Sequence, residues 1–304
     1  MSYGSGKYTY ELDEEWAQLP SGWSFLSIAG IRVDSTDKVY ILNRGDHPVI
    51  VLNRDGEFIT SWGEGYFKSA HGAAFGPDGS VWCADDGNHT VTRFTPEGKV
   101  LQVLGEKGRP SDTGYVQEQG VLSIKKSGPP FNRPTGVSFS PSGEIYISDG
   151  YGNARVHKFS PDGKLLLSWG EPGTDPGQFR TSHGVWLDVE QRVWVCDREN
   201  NRIQIFDTNG KYLNQWTDLS VPTDLFIDNE GTVYVSEISG RVSIFSNDGK
   251  LLARWGSPEK DPVKSLLCSA HTISLDSRGD IYIGEVSLKI ERGSKVMRKF
   301  IRKA

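Results

Sequence analysis

Three of the six histidines in this 304-residue chain begin short apolar runs of one kind: SAHGAAF at 69–75, TSHGVWL at 181–187 and SAHTISL at 269–275. A neutral imidazole is a good nitrogen donor for a transition metal and exchanges protons near neutral pH. A single histidine in such a place is more often a packed or water-bonded residue. Three together would offer a metal three nitrogens and leave a coordination position open, which is the pattern of catalytic rather than structural zinc. Iron, copper or another divalent ion suits the same donors. Whether the three converge depends on the elements that carry them.

Those elements repeat. PTGVSFSPSGEIYISDGYGNARVHKFSPDGKLLLSWG from Pro134 has counterparts from Ile28, Ala70, Ser182 and Pro222, and a shortened one from Ala270. Each copy alternates apolar residues in short strands separated by turns such as PDG, PEG and NDG. Four strands in about 40 residues describe a propeller blade, and no single copy could bury its own core. The expected architecture is a single all-β domain, a six-bladed β-propeller, with blades near 28–65, 70–107, 134–172, 182–219, 222–258 and 270–304. The last copy lacks the usual fourth strand, and KYTYELDEEW near the N-terminus is the spare segment that would close the ring.

Set in register, the copies place Ala29, His71, Thr135, His183, Thr223 and His271 at one position. Histidine occupies every second copy, so a closed ring would give threefold placement at the start of each innermost strand. His71, His183 and His271 are therefore the candidate metal ligands.

Strands in a blade are antiparallel, so the loop after the second strand opens beside the histidines. These loops read NRGDH (43–47), ADDGNH (84–89), SDGYGN (148–153) and CDRENN (196–201). Their opening acids, Asp85, Asp149, Asp197, Glu237 and Glu285, recur and so suit a loop-capping role. Arg44, Tyr151 and Arg198 do not recur, which makes them candidates for function. Two guanidiniums beside a metal suit a small-molecule substrate carrying a carboxylate. Tyr151 would be the proton acceptor if cations lower its pKa. His47, His89 and His157 lie off the shared position and read as ordinary loop or strand residues.

The net charge of −5 argues against nucleic acid. The seven Lys or Arg between Lys289 and Lys303 read as the solvated edge of a last strand. The N-terminus has no signal-peptide pattern, no apolar run has membrane-spanning length, and Cys83, Cys196 and Cys268 form no CxxC pair. A reducing cytoplasm is the expectation.

The repeats resemble NHL repeats. The set H-G-A at 71, D-G-Y at 149, S-H-G at 182, D-R-E-N at 197 and N-R-G-D-H at 43 is similar to the lyase domain of peptidylglycine alpha-amidating monooxygenase, over roughly residues 28–286. The resemblance implies zinc held by His71, His183 and His271, Tyr151 as base, Arg44 on the substrate carboxylate and Arg198 in electrostatic support. The reaction implied is cleavage of a peptidyl-alpha-hydroxyglycine, or a smaller carbinolamide, to an amide and glyoxylate or another aldehyde. It also implies calcium contacts from the carbonyls of Ile31 and Ala73. The aspartate that would help bind that calcium is Thr272 here, the family's cysteine after D-G-Y is Gly152, and no monooxygenase domain accompanies the copies.

Two other readings fit the same scaffold: a hydrolase using metal-bound water, and a non-enzymatic propeller that binds a protein partner. The regular histidine placement disfavours the second. The insertion at 109–132 lengthens one connection between copies and is expected to border the histidines.

Overall fold

The computed structural model describes residues 1–256, 266–286 and 296–303. The chain is all-β and folds as a six-bladed β-propeller of antiparallel sheets. By contact it divides into two units, residues 65–222 and residues 1–64 with 223–304.

The first unit holds three four-stranded sheets, which begin with Ala70–Phe75, Pro134–Phe139 and Ser182–Leu187 and end with Val100–Leu104, Leu165–Trp169 and Tyr212–Trp216. Each first strand and each second strand is almost wholly buried, whereas the fourth strands expose successive residues such as Val100 and Leu101, Leu165 and Leu166, and Leu213. The sequence pattern follows from this gradient. Inner strands are covered on both faces and carry apolar residues on both, whereas the outer strand is exposed on both faces along most of its length.

The turn after each first strand is closed by a side-chain oxygen, which is Ser140 Oγ accepting the Glu144 N–H after Pro134–Phe139. Asp188 Oδ1 accepts the backbone N–H groups of Glu190 and Arg192, and Asp78 Oδ1 accepts that of Ser80. The side-chain oxygen replaces missing ladder partners, which is why these turns favour Asp and Ser.

The second unit holds two four-stranded sheets, from Ile28–Val33 to Phe58–Trp62 and from Pro222–Ile227 to Leu251–Gly256, and one five-stranded sheet. In the last, Ala270–Leu275, Ile281–Glu285 and Met297–Arg302 are joined by the N-terminal strands Tyr8–Asp13 and Ser2–Ser5. Tyr10 pairs with Arg302 and Leu12 with Phe300, so the N-terminal segment closes the last blade as expected.

The basic tail corrects one expectation. Met297–Arg302 is an interior strand between Ile281–Glu285 and Tyr8–Asp13, not a solvated edge. Lys299 is buried, with Nζ 3.3 Å from Asp280 and over the rings of Trp16 and Tyr282. Ion pairing and two aromatic faces offset the cost of burying that ammonium. Lys289, Arg292 and Lys295 lie outside the described residues. Among the described residues no helix is long and apolar enough to cross a membrane.

Candidate active site

Each candidate histidine sits at an interruption in its strand ladder. Ala70 pairs with Asp85 and the next pair is Ala73 with Cys83, so His71 is skipped. The ladder likewise passes from Ser182 to Val185 around His183, and from Ala270 to Thr272 around His271. Such irregularities re-aim a side chain that regular pleating would turn into the sheet. All three histidines are buried, and three such imidazoles could hold a metal ion.

Neighbouring strands set the histidine tautomer. His71 Nδ1 lies 2.6 Å from the Thr135 carbonyl oxygen, and His271 Nδ1 lies 3.0 Å from that of Ala29. A carbonyl only accepts, so Nδ1 carries the proton and Nε2 keeps its lone pair, as a metal-ligating imidazole requires. Gly72 makes this approach possible, because a Cβ there would stand 2.4 Å from the Thr135 oxygen. The threonines of the alternate copies act on the same strands. Thr135 Oγ1 donates to Ser182 O beside His183, and Thr223 Oγ1 donates to Ala270 O beside His271.

Tyr151 reaches the first two histidines. The strand Ile145–Asp149 ends in an acid whose carboxylate accepts the Asn132 N–H and one N–H of the Asn153 amide. Gly150 then passes so close to Ser182 that a Cβ would lie 2.2 Å from its oxygen. This path leaves Tyr151 Oη 3.0 Å from His71 Nε2 and 2.9 Å from His183 Nε2. Gly152 is equally constrained, because a Cβ would meet the Asn132 side chain at 2.1 Å; a cysteine has no room there.

Two guanidiniums flank the phenol. Arg198 opens a single helical turn, Arg198–Asn200, donates Nη1 to Tyr151 Oη at 3.2 Å and lies 5.1 Å from the ring centre. Burial alone would lower its pKa, but the Tyr151 oxygen and the Glu199 carboxylate outweigh it and raise the value. Arg133 lies 5.3 Å from the same ring. It is anchored by Asp86, at 2.6 Å and 3.2 Å, and by the Tyr115 hydroxyl at 2.7 Å. Its backbone is left-handed, φ 66°, and its N–H donates to His89 Nδ1.

The insertion folds over this group. Tyr115 and residues 119–122 line a recess of about 560 Å³ together with Arg133, Tyr151, Arg180, Arg198 and Glu199. Leu122 and Arg180, both exposed, are among the residues lining it. Sequence reasoning missed Arg133, Arg180 and Tyr115. Tyr115 lies in the insertion and has no repeated counterpart, whereas Arg133 and Arg180 precede their first strands at repeated positions, where their failure to recur was the available signal.

Arg44 is half-buried in the loop after Val39–Asn43, where its N–H donates to Ser27 O. The loop acids cap as expected at Asp85, Asp149, Asp197 and Glu285, each accepting backbone N–H groups. Glu237 binds the Arg241 guanidinium and Ser243 Oγ. His157, read as an ordinary strand residue, is fully buried between Ser168 Oγ and Asp149.

The calcium implied by the resemblance does not fit these residues. The Ile31 carbonyl accepts Arg32 Nη1 at 2.7 Å, and Ala73 stays in the strand ladder opposite Cys83. None of the three cysteines forms a disulfide.

Residues 131–159 and 179–206 match the NHL repeat family. The chain carries NHL repeats. Tyr151 lies in the first matched NHL segment, and His183 and Arg198 lie in the second. Human NHL repeat-containing protein 3 is 35% identical over 231 residues, which cover 72% of this chain and 62% of that protein. Rat peptidylglycine alpha-amidating monooxygenase is 28% identical over 332 residues, covering 92% of this chain and 31% of the relative. Peptidyl-alpha-hydroxyglycine alpha-amidating lyase 1 of Drosophila melanogaster is 31% identical over 185 residues, covering 56% of this chain and 31% of the relative. The chain thus spans less than two thirds of each. A gluconolactonase structure from Xanthomonas campestris superposes with a TM-score of 0.65 at 15% identity, covering 92% of this chain and 87% of that one, a likeness of fold alone.

Proposed function

We propose that this NHL-repeat chain is a metal-dependent carbon–nitrogen lyase that cleaves an N-acyl-alpha-hydroxyglycine or similar carbinolamide to an amide and glyoxylate or another aldehyde. His71, His183 and His271 would hold one divalent ion, zinc in the first instance. The observation that carries the reading is the single hydroxyl of Tyr151 shared between His71 Nε2 and His183 Nε2 under the Arg198 guanidinium. Relatives named peptidyl-alpha-hydroxyglycine alpha-amidating lyases support it at modest identity.

A divalent ion bound by the imidazoles would act as a Lewis acid on the substrate hydroxyl. Tyr151, acting as the phenolate, takes the hydroxyl proton on Oη, and Arg198 holds that oxygen through Nη1 until the transfer. The O–H electron pair becomes the new carbonyl bond, the C–N bond breaks, and nitrogen leaves with the C–N pair and accepts the proton that Tyr151 took. Atoms balance without water or an oxidant. Arg44 binds the carboxylate that leaves in glyoxylate. The recess beside Tyr151 takes the acyl side, where Leu122 offers an apolar contact and Arg180 a cation.

The test is metal analysis of the purified chain together with turnover of N-benzoyl-alpha-hydroxyglycine, read as glyoxylate and benzamide. One transition metal per chain, lost in His71→Ala, His183→Ala and His271→Ala along with turnover, is the expected result. Full metal content in those variants overturns the metal assignment. Metal-loaded protein that hydrolyses lactones or esters but releases no glyoxylate overturns the lyase in favour of a hydrolase.

A further inference from the structure

Arg32 is a charged residue in the middle of an innermost strand, Ile28–Val33, and only 8% of its surface is exposed. Its Nη1 donates to Ile31 O at 2.7 Å, to Asp224 Oδ2 at 2.8 Å and to Ile273 O at 3.2 Å, and its Nη2 donates to Asp224 Oδ1 at 3.1 Å. Asp224, also buried, accepts in addition the Thr272 hydroxyl at 2.8 Å and the Ile273 N–H at 3.3 Å. One guanidinium therefore joins three innermost strands, Ile28–Val33, Pro222–Ile227 and Ala270–Leu275, from three sheets of one unit.

Carbonyl and carboxylate oxygens gathered on a buried positive charge are the ligand set of a hard divalent cation. Here the charge is covalent. Desolvating an arginine and an aspartate costs several kcal/mol each, and that cost is recovered only when the geometry is bidentate and the remaining lone pairs are satisfied. Both conditions hold at Asp224. The guanidinium already occupies the Ile31 oxygen, and Thr272 contributes a neutral hydroxyl where an added acid would be needed to balance a second positive charge.

We propose that Arg32 is the internal cation of this fold: it ties the three strands in the role a divalent ion would otherwise fill, and makes folding independent of calcium. The inference is separate from the lyase reading, because it concerns stability and uses none of the histidines, Tyr151 or Arg198.

The experiment is thermal unfolding of the full chain with and without millimolar calcium chloride, using magnesium chloride as the ionic-strength control. The wild type should show the same Tm in both. Arg32→Ala should lower Tm by roughly 5–8 °C, the range for breaking a buried pair in a chain of this size. Calcium, or millimolar guanidinium as a free substitute for the missing group, should return part of that loss. The double variant Arg32→Ala with Asp224→Asn should show no such recovery. If Arg32→Ala does not fold, Arg32→Met keeps the stem volume and is judged by the same recovery, and the wild-type comparison needs no variant. A wild type stabilised by calcium beyond the magnesium control, an Arg32→Ala variant with unchanged Tm, or recovery that persists without the Asp224 carboxylate overturns the proposal.

Discussion

Tyr151 and Arg198 meet at 3.2 Å, Nη1 to Oη, with the guanidinium also stacked over the phenol ring at 5.1 Å. One cation thus addresses both the oxygen and the π-face of the residue that touches two imidazoles.

Replacing Tyr151 by Phe should leave metal content intact, because the proposed ligands are the three histidines. Carbinolamide turnover should fall about 10²–10⁴-fold, the usual loss for a general base. Metal analysis and glyoxylate release on one preparation decide the matter. A Phe variant with undiminished turnover removes Tyr151 from the chemistry.

Arg198→Lys keeps the charge and loses the fork. The Tyr151 contact is made by one arm while the other arms hold Glu199, and a lysine cannot do both. Turnover should drop about 10- to 100-fold, the value of a charge-assisted hydrogen bond, with KM changing little. A variant whose entire loss lies in KM would instead assign Arg198 to substrate binding.

Thr135→Val removes the hydroxyl that donates to Ser182 O beside His183, with almost no change in volume. The His183 strand should lose its fixed position, and metal affinity should weaken by about tenfold, as for other groups that orient ligands. Competition with a chelator indicator measures it, and unaltered affinity would show that the backbone alone holds the imidazole.

His89 should make the chain sensitive to mild acid. Burial, partly opposed by Asp149, holds its pKa below the usual histidine value, and Nδ1 accepts the Arg133 N–H. Because the folded pKa is depressed, the stabilising contribution is present above about 6.5 and is lost as pH falls through the lower folded value. Urea midpoints should therefore decline over that interval. His89→Asn, which tolerates the left-handed backbone at φ 60°, should flatten the decline.

The six-fold repeat was legible because its signals are short-range. Alternating apolar residues, Asp- and Gly-bearing turns and a shared register position identify the blades, and that register also exposes the alternation of His71, His183 and His271. The closing strand near the N-terminus could be read from what the last copy lacked. Other features depended on partners far away in the chain. The His71 tautomer depends on Thr135, 64 residues on, and the internal cation on Asp224, 192 residues from Arg32. Arg133 acquires its place over Tyr151 from Asp86 and Tyr115, and Lys299 is buried because Tyr8–Asp13 covers its strand. Those outcomes rest on which sheets pack together, and a charge in a local window looks the same whether another sheet will cover it or water will.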